Sequence, residues 1–214
     1  MIHEILPVCL LQCNCSIFGD ETTRQALVID PGDQIEDIQE VLARHHLTVQ
    51  AIVITHAHID HIGGAAKLKA ATGAPVYMNA NDQELYDHLD VQADWLGMRA
   101  PTRTEIDAAA REGDSLVIGE KTTGETVFHI LETPGHTQGS ISLWIPAENK
   151  LVAGDTLFRD SIGRTDLPGG DSKKILRSIH AKLLTLPESA VVIPGHGPNT
   201  TIGREKEFNY FLQR

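Results

Sequence analysis

The sequence has little positive charge. Its 214 residues include 18 Lys and Arg against 29 Asp and Glu, which gives a formal net charge of −11. Because nucleic-acid binding needs a basic face, this balance argues against a nucleic-acid partner. An anionic substrate would need a locally basic pocket on such a protein.

Long apolar runs and paired cysteines are also lacking. No run approaches the ~18 residues of a membrane span, and residues 1–4 lack the basic start of a secretory signal. We therefore expect no membrane partner. The three cysteines are Cys9, Cys13 and Cys15, an odd number, and the last two are too close on an extended strand for a relaxed disulfide. Buried structural thiols are the favoured interpretation, a redox or soft-metal site the alternative, and a reduced, cytoplasmic setting the expectation.

One short stretch concentrates histidine and aspartate. It follows an apolar run at 51–54 that predicts a buried strand and precedes a helical pattern at 65–70. Imidazole nitrogens and carboxylate oxygens are ligands for zinc, iron or manganese. A polar loop with histidines by chance is the alternative, but the full His-x-His-x-Asp-His pattern favours a metal site. Its members are His56, His58, Asp60 and His61.

Three later strand ends repeat this arrangement. His136, Asp155 and His196 each stand at the end of a predicted strand with glycine beside them. Glycine allows a tight turn and a close approach of the backbone. A histidine in one turn is commonly just a turn residue, but three such turns beside the first cluster point to one shared site.

The two halves of the chain have similar patterns of strands, then a helix, then a strand. This predicts an α/β fold in which two sheets pack face to face with helices outside. Residues 79–112 are predicted to be mostly helical and broken by Pro101, forming either a lid over the site or a surface helical hairpin. Predicted strands include 2–8, 14–18, 25–29, 115–118, 126–132, 140–145, 150–153 and 191–193, and predicted helices include 171–186 and 204–212.

The ligand pattern resembles that of the metallo-β-lactamase superfamily, with all seven positions filled. The loop at 154–158 followed by 163–170 resembles the glyoxalase II-like hydrolases (hydroxyacylglutathione hydrolases), especially their short bacterial forms. The resemblance implies an αββα four-layer sandwich with two mixed sheets, and a single domain over 1–214. It implies two divalent metal ions, foremost zinc, with iron or manganese as alternatives. One would be held by His56, His58 and His136, the second by Asp60, His61 and His196, and Asp155 would bridge them.

The resemblance implies hydrolysis of small thioesters, such as lactoylglutathione. Two adjacent dications lower the pKa of a shared water, which can then attack a carbonyl. Asp60 is the best candidate to orient that nucleophile, and Asp155 would hold the metals together. Longer glyoxalase II enzymes grip glutathione with a C-terminal helical extension. Only 18 residues follow His196 here (214 − 196), so we expect that grip to be missing or supplied elsewhere.

Arg164 has two interpretations. It could bind a substrate carboxylate bidentately, or it could pair with Asp160 or Asp166. For the whole protein, the nearest rival is an iron-dependent persulfide dioxygenase using His56, His136 and Asp155 as a facial triad. A non-catalytic metal-binding scaffold is a third possibility, and lactamase, lactonase and nuclease activities share the motif. Asn209 and Phe211 could face the pocket, whereas the remaining six histidines are interpreted as structural or surface residues: His3, His45, His46, His88, His129 and His180.

Overall fold

The computed structural model describes residues 1–122 and 124–213. Its first half forms a six-stranded sheet in which the strands follow chain order. The first three strands pair antiparallel, and the last three join in parallel. The strands are β1 (Ile2–Val8), β2 (Cys13–Gly19), β3 (Gln25–Ile29), β4 (Thr48–Val53), β5 (Val76–Met78) and β6 (Ala108–Ala109).

The second half forms another six-stranded mixed sheet and a small hairpin. The strands are β7 (Ser115–Glu120), β8 (Gly124–Glu132), β9 (Ile141–Ile145), β10 (Lys150–Gly154), β11 (Leu157–Phe158), β12 (Ser161–Ile162), β13 (Val191–Pro194) and β14 (Thr200–Thr201). The sheet order is β14-β13-β10-β9-β8-β7, and β11 pairs with β12. Only β10 and β13 are parallel neighbours in this sheet.

Helices cover the outer faces of both sheets. They are α1 (Ile35–Arg44), α2 (Ile59–Ile62), α3 (Ala65–Thr72), α4 (Gln83–Asp87), α5 (Leu89–Trp95), α6 (Ser172–Ser178) and α7 (Ile202–Phe208). The Asp171 carboxylate begins α6 by accepting from the N–H groups of Lys173 and Lys174, both at 2.9 Å. Among the residues that the structure describes, no helix combines the length and the apolar character needed to cross a bilayer.

Alternating side chains divide the interior into three apolar layers. In β3, Ala26 and Val28 pack against the helices α1 to α5, whereas Leu27 and Ile29 face the other sheet. Across the central layer, Phe18 and Phe128 meet edge to face with ring centroids 5.3 Å apart, a geometry that adds ~1 kcal/mol beyond burial. The third layer lies between the second sheet and α6 and α7. The predicted αββα sandwich with two mixed sheets is therefore confirmed.

Three predicted helical segments are wrong in part. The predicted helix in 79–112 ends at Trp95, and residues 96–107 form neither helix nor strand. Pro101 lacks a backbone donor, and the Asp107 N–H bonds to the Val76 carbonyl at 2.9 Å, which draws the chain to the sheet edge. The helix predicted at 171–186 is α6 followed by one widened π turn, Ile179–Leu183. The helix predicted at 204–212 stops at Phe208.

Candidate metal centre

The candidate ligands meet because four strands end at one edge of the sandwich. β8, β10 and β13 run in the same direction, since β9 is antiparallel to β8 and β10, and β13 is parallel to β10. His136, Asp155 and His196 follow their carboxyl ends. The loop after β4 brings the first cluster from the other sheet, and the Ile141 N–H bonds to the Thr55 carbonyl at 2.8 Å. All seven predicted ligands are thereby brought together.

Three histidines converge on one point. The Nδ1 atom of His58 lies 3.0 Å from His56 Nε2 and 2.9 Å from His136 Nε2. At metal–nitrogen distances of ~2.1 Å, two neighbouring ligand nitrogens lie ~3.0–3.4 Å apart. His56 and His136 are almost fully buried, and His58 is half-buried. The three nitrogens can therefore hold one cation.

A second group lies beside the first. The Asp60 Oδ2 atom is 3.1 Å from His196 Nε2 and 3.7 Å from His61 Nε2. The two imidazole Nε2 atoms are 3.3 Å apart. Each ring is fixed from behind: His61 Nδ1 lies 2.9 Å from Asp30, and His196 Nδ1 donates to the Leu11 carbonyl at 3.0 Å. Their Nε2 atoms are therefore left to face a ligand.

Asp155 lies between the two groups. Its Oδ1 is 3.5 Å from His61 Nε2, and its Oδ2 is 3.6 Å from His136 Nε2 and 3.7 Å from His196 Nε2. Oδ1 is buried and has no hydrogen-bond partner among the described residues. Such an orphaned carboxylate oxygen is costly unless a cation satisfies it. A Cβ on Gly195 would clash with this oxygen, so glycine is required there. The donor set and the orphaned oxygen thus fit a pair of divalent cations.

Two buried carboxylates hold the ligand loops in place. Asp30 accepts from the Thr55 N–H and hydroxyl, both at 2.7 Å, and contacts the His61 ring. Asp82 accepts from the Ala57 N–H at 3.0 Å, the Thr137 hydroxyl at 2.8 Å and the Gly139 N–H at 2.6 Å. Asp82 therefore joins the backbone between His56 and His58 to the residue after His136. Contacts of this kind behind the ligands fix the positions of the ligand loops and the orientation of the His61 ring.

Gln92 adds a further support from α5. Its side chain accepts from the Ile59 N–H at 2.9 Å and donates to the Ala57 carbonyl at 3.1 Å. The segment 79–112 thus supplies two supports of the metal loop, Asp82 and Gln92, and its residues 96–102 help to line a cavity beside Asp60. It acts as a wall of the site.

The electrostatics of the centre are those of a cation site. Burial lowers the pKa of His56 well below its usual value, and burial with a neighbouring imidazole lowers that of His58 to about 3. Burial opposes ionisation of Asp60, but the adjacent His61 and His196 lower its pKa overall. Burial also opposes the charged form of His61, yet the nearby carboxylates of Asp60, Asp30 and Asp155 raise its pKa well above the usual value. A metal at His61 must therefore displace a proton, which weakens binding as pH falls.

Other predicted residues have different placements. Arg164 is exposed and forms a bidentate pair with Asp166, at 2.8 Å and 2.7 Å, while its carbonyl accepts from His136 Nδ1 at 2.8 Å. The predicted ion-pair partner Asp160 binds Arg204 instead. Asn209 is buried and donates to the Ser161 carbonyl at 3.0 Å, away from the ligands. Burial raises the pKa of the Cys13 thiol to about 12, so this neighbour of His61 stays neutral.

Comparison with known proteins agrees with this geometry. The family model for the metallo-beta-lactamase superfamily matches residues 10–196. The chain belongs to this superfamily. It is 39% identical to a protein named hydroxyacylglutathione hydrolase GloC from Haemophilus influenzae, and the match covers 98% of this chain and 97% of that protein. It is 37% identical to the probable metallo-hydrolase YqgX from Bacillus subtilis, over 97% of this chain and 95% of that one.

Solved structures share the fold over all or nearly all of the chain. BLEG-1, described as a B3 metallo-beta-lactamase, has a TM-score of 0.90 at 37% identity and covers 100% of both chains. TTHA1623, solved in a di-iron-bound form, has a TM-score of 0.88 at 37% identity and covers 98% of this chain and 100% of that chain. These relations support a metal-dependent hydrolase.

Proposed function

We propose that the protein hydrolyses small thioesters as a type II glyoxalase, acting on a hydroxyacyl-glutathione such as lactoylglutathione. The observation that carries this proposal is the position of Asp155, within 3.7 Å of histidine nitrogens from both groups. His56, His58 and His136 would hold one divalent cation, and Asp60, His61 and His196 the other. The similarity to GloC supports the substrate class. Zinc is the proposed metal, with iron or manganese as alternatives.

The chemistry divides between the metals and the side chains. Bound divalent cations supply an acidified water and polarise a carbonyl. Asp60 is ionised, lines the adjacent cavity, and can orient the attacking water by accepting a hydrogen bond. Asp155 keeps the two ligand groups at a fixed separation. A thiolate leaving group, with a parent pKa near ~8.5, needs little help from a general acid.

Arg164 is proposed to bind a carboxylate of the substrate at the rim. Its carbonyl holds His136, so its side chain starts close to the centre. Because Asp166 occupies the guanidinium fork, the substrate must replace this partner. The pair is solvent-exposed, and exposed ion pairs of this kind contribute little to stability because water screens them. Exchange of the partner is therefore inexpensive.

The proposal is tested by supplying the zinc-reconstituted protein with S-lactoylglutathione and, separately, with a β-lactam. We expect loss of thioester absorbance with release of one thiol per turnover, and no such turnover in Asp155→Asn. His129→Gln is the control, because His129 pairs with Ser115 on a distant strand. Hydrolysis of the β-lactam without thioester cleavage would reassign the substrate.

An iron-dependent persulfide dioxygenase is the second candidate. The observation in its favour is that His56, His136 and Asp155 lie together, with His136 Nε2 3.6 Å from Asp155 Oδ2 and the two imidazole centroids 4.7 Å apart. Two histidines and one carboxylate are the facial set of non-haem iron oxygenases. Asp60, His61 and His196 would then be superfluous as ligands, which favours the hydrolase.

A further inference from the structure

We propose that the cavity beside Asp60 receives the thiol half of the substrate, and that Arg99 recognises a carboxylate on that half. This inference rests on the proposed thioester hydrolysis. It assigns the carrier's binding to the catalytic domain itself, between the turn after β1 and the segment after α5.

The cavity borders the candidate metal centre at Asp60. It has a volume of 470 Å³, and Asp60 and Ile59 form part of its wall. Volumes of ~300–1,000 Å³ are typical of small-molecule sites. On one side, Leu11 contributes its side chain to the wall and its carbonyl to His196 Nδ1, at 3.0 Å. The turn that orients a metal ligand therefore also borders this space.

Apolar side chains that are unusually exposed line the cavity. Leu10 is 78% exposed and Leu11 45%, and the segment after α5 adds Leu96 and Met98 at 39% and 37%. Large aliphatic side chains from two separate segments that face one space form an apolar channel. Such a channel suits the methylene groups of a thiol carrier.

Positive charge also borders this cavity. The cavity wall includes Lys67 and Arg99. The Lys67 ammonium is 3.5 Å from Asp33, another wall residue, so its charge is compensated. Arg99 is exposed and makes no hydrogen bond or ion pair with any residue in 1–122 or 124–213. In a chain of net charge −11, a free guanidinium beside an apolar channel favours an anionic ligand.

A second cavity provides a contrast. It has a volume of 370 Å³ and is bordered by Asp82, Thr137 and Trp95, but by none of the seven candidate ligands among the described residues. Its wall contains no lysine or arginine among those residues. Within the part of the chain that the structure describes, only the first of these two cavities borders a candidate metal ligand and carries lysine and arginine side chains. The cavity at Asp60 is therefore the proposed site for the thiol carrier.

The ligand class follows from these features. The sulfur would lie at the candidate metal centre, methylene groups of the carrier would lie in the channel, and a carboxylate would meet the planar fork of Arg99, which matches carboxylate geometry. Glutathione fits this class, because methylene groups lie beside its sulfur and in its γ-glutamyl group and each of its ends carries a carboxylate. A phosphate-bearing thiol such as coenzyme A would present the same sign of charge and is distinguished by experiment.

The test compares carriers on one acyl group. KM and kcat are measured for lactoyl thioesters of glutathione, of coenzyme A and of the neutral thiol N-acetylcysteamine. In Arg99→Gln we expect KM for the glutathione thioester to rise about tenfold, the loss of one charge-assisted bidentate contact, with kcat nearly unchanged. KM for the N-acetylcysteamine thioester should stay the same. Arg99→Lys should recover part of the loss, and Arg103→Gln, whose guanidinium bonds to the Asp87 carbonyl outside the cavity, should change nothing.

The outcomes separate the inference from the function on which it rests. Equal KM changes for charged and neutral carriers, or no change for glutathione, would overturn the role of Arg99. A rise confined to the coenzyme A thioester would overturn the choice of carboxylate over phosphate. If the wild-type protein cleaves no thioester, the proposed function fails. Calorimetric binding of free glutathione to wild type and Arg99→Gln then decides the inference, because equal affinities would refute it.

Discussion

Replacing Asp82 by asparagine should weaken one half of the metal centre. The Asp82 carboxylate is 1% exposed and accepts three hydrogen bonds, from the Ala57 N–H, the Thr137 hydroxyl and the Gly139 N–H. An asparagine amide has one acceptor oxygen and one NH₂ group, so at least one donor would face another donor. Leaving a buried donor unpaired costs about 1–3 kcal/mol.

The effect on metal binding should exceed the effect on folding. Burial raises the pKa of Asp82, although its hydrogen bonds and a nearby histidine oppose this. The buried carboxylate thus carries a desolvation cost that asparagine avoids, so we expect the free energy of unfolding to fall by only about 2 kcal/mol. The loops bearing His58 and His136 lose their common anchor, and metal affinity there should fall about 10–100-fold.

The assay is titration of the metal-free protein with zinc against a competing chelator, with stability measured by urea unfolding. Asp82→Asn should weaken one of the two binding events and leave the other near its wild-type affinity. Leu183→Ala is the matched control, because Leu183 is fully buried in the third apolar layer and its truncation costs about 2–5 kcal/mol. Two unchanged affinities in Asp82→Asn, or an equal loss in Leu183→Ala, would refute the anchoring role.

Three further predictions concern a ligand, the rim and pH. His58→Ala should reduce metal content and abolish activity while leaving a folded domain, and unchanged metal by elemental analysis would remove His58 from the site. Arg164→Ala should raise KM for an acidic thioester more than it lowers kcat, whereas Asp166→Asn should not raise KM. An unchanged KM in Arg164→Ala would show that Arg164 only forms its ion pair with Asp166 and does not bind the substrate. Burial, and secondarily Lys150, lowers the pKa of His3 to about 4. The folded state therefore favours the neutral form of His3. The stabilisation that results is fully present above about pH 6.5 and is lost as the pH falls toward 4. Urea unfolding should show wild type losing about 1–2 kcal/mol more than His3→Phe between pH 7 and pH 4.5, and equal losses would contradict the shift.

The strands were predictable because their side chains alternate between two buried layers. The predicted bounds of β1 and β3 agree with the structure residue for residue. Two-residue strands such as β6 and β14 were missed, since so short a segment shows no period. The helix predicted at 204–212 is interrupted at Asn209. There the side chain bonds to the nearby Phe211 N–H and Glu205 carboxylate and to the distant Ser161 carbonyl, and these side-chain contacts override helical propensity.

The candidate ligands were predictable because they share one local pattern, a His or Asp at a strand end beside glycine. Asp30 has a related signal, since it directly follows β3 and precedes Pro31-Gly32. Asp82 and Gln92 carry no such signal. They lie in a polar helical segment, and only the packing of that segment brings them to the ligand loops. Cys13 reaches His61, at 3.4 Å, through pairing of β2 with the distant His196 turn.

The metal dependence of two reactions, measured on one preparation, tests the hydrolase proposal most directly. Hydrolysis needs a Lewis acid and an acidified water, which redox-inert zinc supplies, whereas oxidation of a persulfide by oxygen needs a metal that cycles electrons. We expect the zinc-loaded protein to cleave the lactoyl thioester. Neither the zinc-loaded nor the iron-loaded form should consume oxygen with glutathione persulfide. Oxygen consumption by the iron form, with an inactive zinc form, would contradict the hydrolase and identify a dioxygenase on the same fold.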